Sequence, residues 1–213
     1  MSDNKLIITH LDYNNIEHRK AAANLHIKLL ENSYLSMLGY DFLVDYYYKL
    51  LIKNGIINCL LCVSNNKYIG FVGFTKYPFS FMTSGFKKYF FQFSFFFIKK
   101  IFIKPKIIIL LIKIVKEAIS RKFTKKTTNS LSELLSIGVL SEHSNDKDIV
   151  TGLPVSRLLV SNLIKDCKKE GFKDMRVVIK SKNIKSLSVF KSFGGKIVND
   201  KFTEDSVELM LYF

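Results

Sequence analysis

Apolar and polar positions along this chain follow two rhythms, one of period two and one of period 3.6. Leu6-Ile7-Ile8 between polar neighbours predicts a first strand over residues 5–9. Asn14 or Asn15 then caps a helix running to about residue 30, with Ile16, Ala23, Ile27 and Leu30 on one face. His18 and His26 lie on that helix and read as packing or surface residues, since no Cys or acidic ligand pattern accompanies them. A second helix is predicted over residues 40–53. Runs 56–64 and 68–76 predict two strands, and Asn65-Asn66-Lys67 between them is a hairpin signal.

The second half carries the densest pattern. Leu134-Leu135-Ser136-Ile137-Gly138-Val139-Leu140 predicts a buried strand. Between residues 154 and 167, Val155, Leu158, Leu159, Leu163 and Cys167 recur at helical spacing, and Gly171 is the expected stop. Met175-Arg176-Val177-Val178-Ile179 predicts the next strand, and residues 183–193 a short helix ended by Gly194-Gly195. A strand, a crossover helix and a strand imply parallel strands joined by a right-handed connection. Residues 196–198 and 206–212 read as two closing strands, and the loop 199–205 suggests an antiparallel pair.

Residues 78–126 differ from the rest. Phe90-Phe91-Gln92-Phe93-Ser94-Phe95-Phe96-Phe97-Ile98 is aromatic, the run 107–115 is aliphatic, and Pro105 divides them into two expected helices. Neither run reaches the roughly 18 apolar residues of a bilayer span. Packing on the sheet or on a second copy, as a homodimer, is one reading. A peripheral membrane contact, with Lys99, Lys100, Lys104 and Lys106 toward anionic headgroups, is the other.

Composition narrows the field. A chain of 213 residues, 48% hydrophobic with 3 prolines, suits one globular domain over 1–213. The net charge of +15 is spread along the chain without a nucleic-acid-reading motif, so nucleic acid is not the expected partner. An anionic ligand would benefit from the same field. Cys59 and Cys62 form a C-x-x-C by letter but sit on a strand, where they point to opposite faces. A shared metal is therefore not expected. Buried thiols in a reducing cytoplasm fit better, and the polar N-terminus shows no signal peptide.

The residues from Ile137 to Gly194 resemble the acyl-CoA-binding core of the GNAT acetyltransferase superfamily. There a strand with a pattern like Ile-x-Val leads into a Gln/Arg-x-x-Gly-x-Gly/Ala turn and a helix closed by Gly. An Asn and then a Tyr follow. Ile137-Gly138-Val139 matches the strand, Gly171 the helix end, Asn183 the Asn, and Phe190 stands at the Tyr position. The turn departs from the pattern. Thr151, Pro154 and Ser156 occupy the Gln/Arg and two Gly positions, and residues 144–150 are extra. Backbone amides at a helix start, with the helix dipole behind them, favour a pyrophosphate. Pro154 lacks a donor but suits a first helical position, leaving the amides of Val155, Ser156 and Arg157. A helix start that binds CoA weakly or not at all is the competing reading. Ile69-Gly70-Phe71 matches the family's third strand, and Ser33 to Leu43 resembles its first helix-loop-helix in sugar-modifying members.

The resemblance implies an α/β (α+β) fold: a central mixed, twisted sheet of about seven strands flanked by helices, with a helical insertion after the third strand. It implies acetyl-CoA as co-substrate and a small amine, such as an amino sugar or its nucleotide conjugate, as acceptor. On the cofactor side it places Ile137, Gly138, Val139, Leu140, Gly152, Val155, Ser156, Arg157, Asn183 and Phe190. On the acceptor side it places Glu31, Tyr34 and Ser36, although Ser33 and Ser36 also suit simple capping. Glu133 is the expected base or, alternatively, a strand-end surface carboxylate, and His143 is a further base candidate. Phe190 cannot donate a proton to a leaving thiolate. The alternative function is a GNAT-fold assembly protein acting through the aromatic insertion at a dimer or membrane surface.

Overall fold

The computed structural model describes residues 5–78, 130–203 and 205–213. The expected helical insertion, from residue 79 on, lies outside the described residues. A seven-stranded sheet runs in the order β1-β2-β3-β4-β5-β7-β6. Its strands are β1 (Ile7–His10), β2 (Ile57–Ser64), β3 (Lys67–Thr75), β4 (Leu131–Val139), β5 (Asp174–Lys180), β6 (Lys196–Thr203) and β7 (Ser206–Tyr212). On one face pack α1 (Ile16–Leu29), α2 (Tyr34–Leu38) and a π-helix (Phe42–Leu51), and on the other α3 (Val155–Lys169) and α4 (Ile184–Ser192).

The elements follow from local chemistry. Asn65 and Asn66 both adopt positive φ, 47° and 61°, which is the hairpin geometry that Asn tolerates. Asn15 caps α1 by accepting from the amides of Glu17 and His18. At the end of α3, Gly171 takes φ +82°, its N–H donates to the Lys168 carbonyl and that of Phe172 to the Cys167 carbonyl. That closure needs a left-handed residue, and it turns the chain into β5. Val155, Leu159, Leu163 and Cys167 bury the inner stripe of α3 completely. Full burial of one such leucine contributes ~1.5–3 kcal/mol.

The residues 40–53 do not form an α-helix as their spacing predicts. Phe42–Leu51 is a π-helix, whose wider turn buries the consecutive Tyr46, Tyr47 and Tyr48. Cys59 belongs to the core under α1 and the π-helix, and Cys62 to the core under α3, so the pair does face opposite ways.

Two features of β4 shape the site. It pairs antiparallel with β3 along its length, but parallel with β5 only over Leu131↔Asp174, Ser132↔Met175 and Glu133↔Arg176. Beyond that point β5 bonds to β7 through Lys180↔Ser206, and a wedge opens between the parallel strands. A bulge at Leu135, the extra residue between the Gly73↔Ser136 and Phe74↔Leu134 pairs, adds local twist to β4.

Candidate active site

The wedge has an edge, a mouth and an apex. Its edge is the free side of β4. Leu140 N–H donates to Ile69 C=O at 2.9 Å, so that pair is hydrogen-bonded across to β3. Antiparallel ladders alternate, so Gly138, opposite Phe71, also turns its main chain to β3. The main-chain groups of Ile137 and Val139 therefore point the other way, into the opening. This corrects two expectations: the Leu140 amide is already spent on β3, and Gly138 serves packing. A Cβ on Gly138 would stand 2.8 Å from Leu29 Cδ1 of α1.

The mouth is the start of α3. Pro154 gives no side-chain cap. Val155 N–H donates to Asp146 C=O at 3.2 Å, so this donor, expected to face an anion, is consumed by the preceding loop. The amides of Ser156 and Arg157 have no partner among the described residues. Arg157 is exposed beside them. These are the two donors a phosphate would find at the positive end of the helix dipole.

The extra residues 144–150 form a self-braced loop. Lys147 bridges to Pro154, and Asp148 accepts from Thr151 N–H and Oγ1 at 2.9 Å each and from Leu6 N–H at 3.3 Å. Burial alone would raise the Asp148 carboxyl, but those bonds outweigh it and hold it below the usual carboxylate range. Gly152, at φ +67°, turns this loop with nothing within 4 Å of a would-be Cβ. His143 Nδ1 lies 2.7 Å from Asp146 Oδ2 at the same mouth.

The apex is an ion cluster. Arg176, fully buried, donates from Nη1 to Glu133 at 2.5 Å and from Nε to Glu208 at 2.7 Å. Glu133 is only 4% exposed. This corrects the picture of a free base at a strand end: Oε1 is engaged by the guanidinium at the last rung before the strands part. Phe190 is 1% exposed in the apolar core between α3, α4 and the sheet, so its ring contacts protein rather than cofactor. Asn183 caps α4 by accepting from Ser186 N–H at 3.1 Å, and it is exposed. Burial pushes the Cys62 and Cys167 thiols up to about 12, which removes them as nucleophiles.

Glu31, Tyr34 and Ser36 lie together on the connection from α1 into α2, Glu31 and Tyr34 exposed and Ser36 half-buried. A groove of about 440 Å³ runs between α1 and β3, beside Leu140, with Lys20, Lys28 and Lys67 in its lining. Lys28 reaches Glu142 at 3.5 Å and Lys20 reaches Glu17 at 3.4 Å. Sequence reasoning missed the roles of Arg176 and Asp148, each a charged residue inside or beside an apolar run. His26 packs, as one of its two readings had it, against Tyr47, Tyr48 and Phe71.

No protein-family model matches the chain, and no curated protein matches it in sequence. Solved structures do. An N-acetyltransferase, PaiA, of Thermoplasma acidophilum in complex with coenzyme A superposes at TM-score 0.55 and 13% identity, over 98% of this chain and 99% of that one. YncA of Salmonella typhimurium with its cofactor acetyl-CoA superposes at 0.54 and 15%, over 98% and 94%. An acetyltransferase of the GNAT family from Staphylococcus aureus Mu50 superposes at 0.55 and 11%, over 97% and 99%.

Proposed function

We propose that this chain, whose fold is that of the GNAT acetyltransferases, is an acetyl-CoA-dependent N-acetyltransferase acting on a small amine. The observation that carries the reading is the three-rung pairing of β4 with β5, after which the strands separate. The opening has the donors an acyl-CoA requires: the main chain of Ile137 and Val139 along its edge, and the amides of Ser156 and Arg157 at its mouth. Their placement fits a pantetheine arm lying against β4 and a pyrophosphate at α3. Acetyl-CoA when bound supplies a thioester whose acyl group passes to the amine, with thiolate leaving.

This chain's residues do the remaining work. Ile137 and Val139 orient main-chain groups toward a carbonyl. Arg157 adds charge beside the helix start, and Asn183 retains side-chain donors after capping α4. Glu133 and Glu208 both hold the Arg176 guanidinium, which fixes the point from which β4 and β5 diverge. Phe190, which stands at the Tyr position, is interior and has no proton to give a thiolate. A thiolate leaves without a general acid more readily than an alkoxide, so the reaction is slower rather than blocked.

For the acceptor we favour an amino sugar or its nucleotide conjugate. The likeness of residues 33–43 to sugar-modifying members supports a sugar, and the groove beside Leu140, where Lys20, Lys28 and Lys67 outnumber Glu17, supports an anionic group on it.

Calorimetry with acetyl-CoA, paired with a thiol-release assay over a panel of amines, tests the reading. Binding in the micromolar to millimolar range is expected. Arg157→Glu should weaken it on the order of tenfold, equivalent to about 1.4 kcal/mol. Absence of binding at millimolar acetyl-CoA would remove the proposal.

A further inference from the structure

His26 is buried on the α1 face of the sheet, 1% exposed. Its ring stacks on Phe71 of β3 at 5.4 Å and meets Tyr47 and Tyr48 of the π-helix edge-on at 6.0 and 6.1 Å. Its two nitrogens reach different elements. Nδ1 lies 2.8 Å from the Tyr48 hydroxyl, and Nε2 lies 3.4 Å from Ser33 Oγ at the start of α2.

The bonds that join His26, Tyr48, Ser33 and Ser36 run in one direction. Tyr48 is 1% exposed, and its hydroxyl has no other acceptor among the described residues. If His26 Nδ1 carried the hydrogen, the Tyr48 hydrogen would be buried without a partner, which is costly. Burial also drives the Tyr48 phenol well above its ordinary range, so it keeps that hydrogen. Tyr48 therefore donates to Nδ1, and the His26 hydrogen resides on Nε2. Nε2 then donates to Ser33 Oγ. Ser33 Oγ already accepts from Ser36 N–H at 3.1 Å, so its own hydrogen goes to Ser36 Oγ at 2.9 Å. Ser36 Oγ passes its hydrogen to the His26 carbonyl at 3.4 Å, and the circuit returns to the residue that began it. Desolvation pulls the His26 imidazole down to about 4, so the ring stays neutral and the circuit is not reversed at neutral pH.

The circuit leaves Ser36 Oγ with one unused lone pair and no free hydrogen. Ser36 is half-buried between the exposed Tyr34 and Met37. Leu29, at the end of the helix that carries His26, packs on Gly138 of β4, which sets this connection against the strand that borders the wedge.

We infer that His26 is a positioning residue for the acceptor: through its Nε2–H it locks the Ser33 and Ser36 hydroxyls, so that Ser36 presents only an accepting lone pair and selects acceptors that bring an N–H or O–H donor. The inference rests on the acetyltransferase reading for the identity of the ligand, not for the hydrogen-bond circuit. It goes beyond the expectation that these serines merely cap α2, because capping alone would leave the hydroxyl hydrogens free to rotate.

Two measurements on the full chain test it. Long-range nitrogen–proton NMR of the imidazoles should show His26 protonated at Nε2 alone at pH 7, and Tyr48→Phe, which keeps the ring, should relax that preference. A protonated Nδ1, or an averaged signal in the native chain, would overturn the lock even if turnover were intact. In steady-state kinetics, Ser36→Ala and Tyr48→Phe should raise KM for the amine on the order of tenfold while leaving KM for acetyl-CoA within about twofold. An equal rise in both constants would overturn the acceptor role. A chain that turns over no amine overturns that role together with the acetyltransferase reading, and the NMR result would still show whether the circuit exists.

Discussion

Arg176 Nη1 meets Glu133 Oε1 across the last rung that holds β4 to β5, at 2.5 Å and without solvent. The pair does more than join two strands. It marks where the sheet stops being continuous, with Glu208 of β7 on the other side of the same guanidinium at 2.7 Å.

Removing the cation should be far worse than removing one anion. Arg176→Met leaves buried carboxylates without their guanidinium and should cost roughly 3–5 kcal/mol of unfolding free energy. Glu133→Gln keeps an acceptor for Nη1 and should cost about 1–3 kcal/mol. Urea titrations of the two variants check the order, and equal losses would argue against the cluster as drawn.

His26 gives the protein an acid-side stability slope. Its folded value is pulled down to about 4 from an ordinary 6.5, because burial among Tyr47, Tyr48 and Phe71 excludes the charged form. Between those values the unfolded chain binds the proton and the folded chain does not. Stability is complete above pH 6.5 and falls as pH drops toward 4, by about 3 kcal/mol in all. Urea midpoints measured across that window should show the slope, and His26→Gln should flatten it.

Asp148 acts lower on the scale. Its carboxyl is depressed in the fold, so its contribution is present above the ordinary 3.8 and is lost as pH falls through the lower folded value. Asp148→Asn should loosen the brace between Thr151 and Leu6 at any pH. Because that brace carries the residues that engage Val155, acetyl-CoA affinity should fall with it. Calorimetry at neutral pH checks this; unchanged affinity would mean the loop does not set the start of α3.

Gly138 and Leu29 should behave as a coupled pair. Gly138→Ala puts a methyl 2.8 Å from Leu29 Cδ1 and should cost roughly 1–3 kcal/mol by overpacking. Adding Leu29→Ala should return part of that loss, a negative coupling readable in a double-mutant cycle. Additive costs would indicate that α1 shifts freely.

Much of the frame was legible because its signals are local. Gly171 ends α3 where the spacing stops, the Asn65–Asn66 turn announces its hairpin, and the strand–helix–strand run dictates a parallel pair. The site was only half legible. Which amides face a ligand depends on partners far away in sequence: Ile69 takes the Leu140 donor and Asp146 takes that of Val155, and no spacing rule reveals either. The π-helix escaped because a 3.6 period and a wider turn bury similar residues over ten positions. Arg176 hid inside an apolar strand, since its partners arrive from β4 and β7. His26 was legible as a packing residue, but its bonds to Tyr48 of the π-helix and to Ser33 at the N-cap of α2 carry no local signal.

The alternation along β4 has a temporal side. Gly138 turns its amide inward to β3, while its neighbours Ile137 and Val139 turn theirs to the gap. In deuterated water the label should enter this single strand in a toothed sequence, fast at the outward amides and slow at the inward one. A molecule lodged in the gap would slow only the fast teeth, and so would record its own arrival residue by residue.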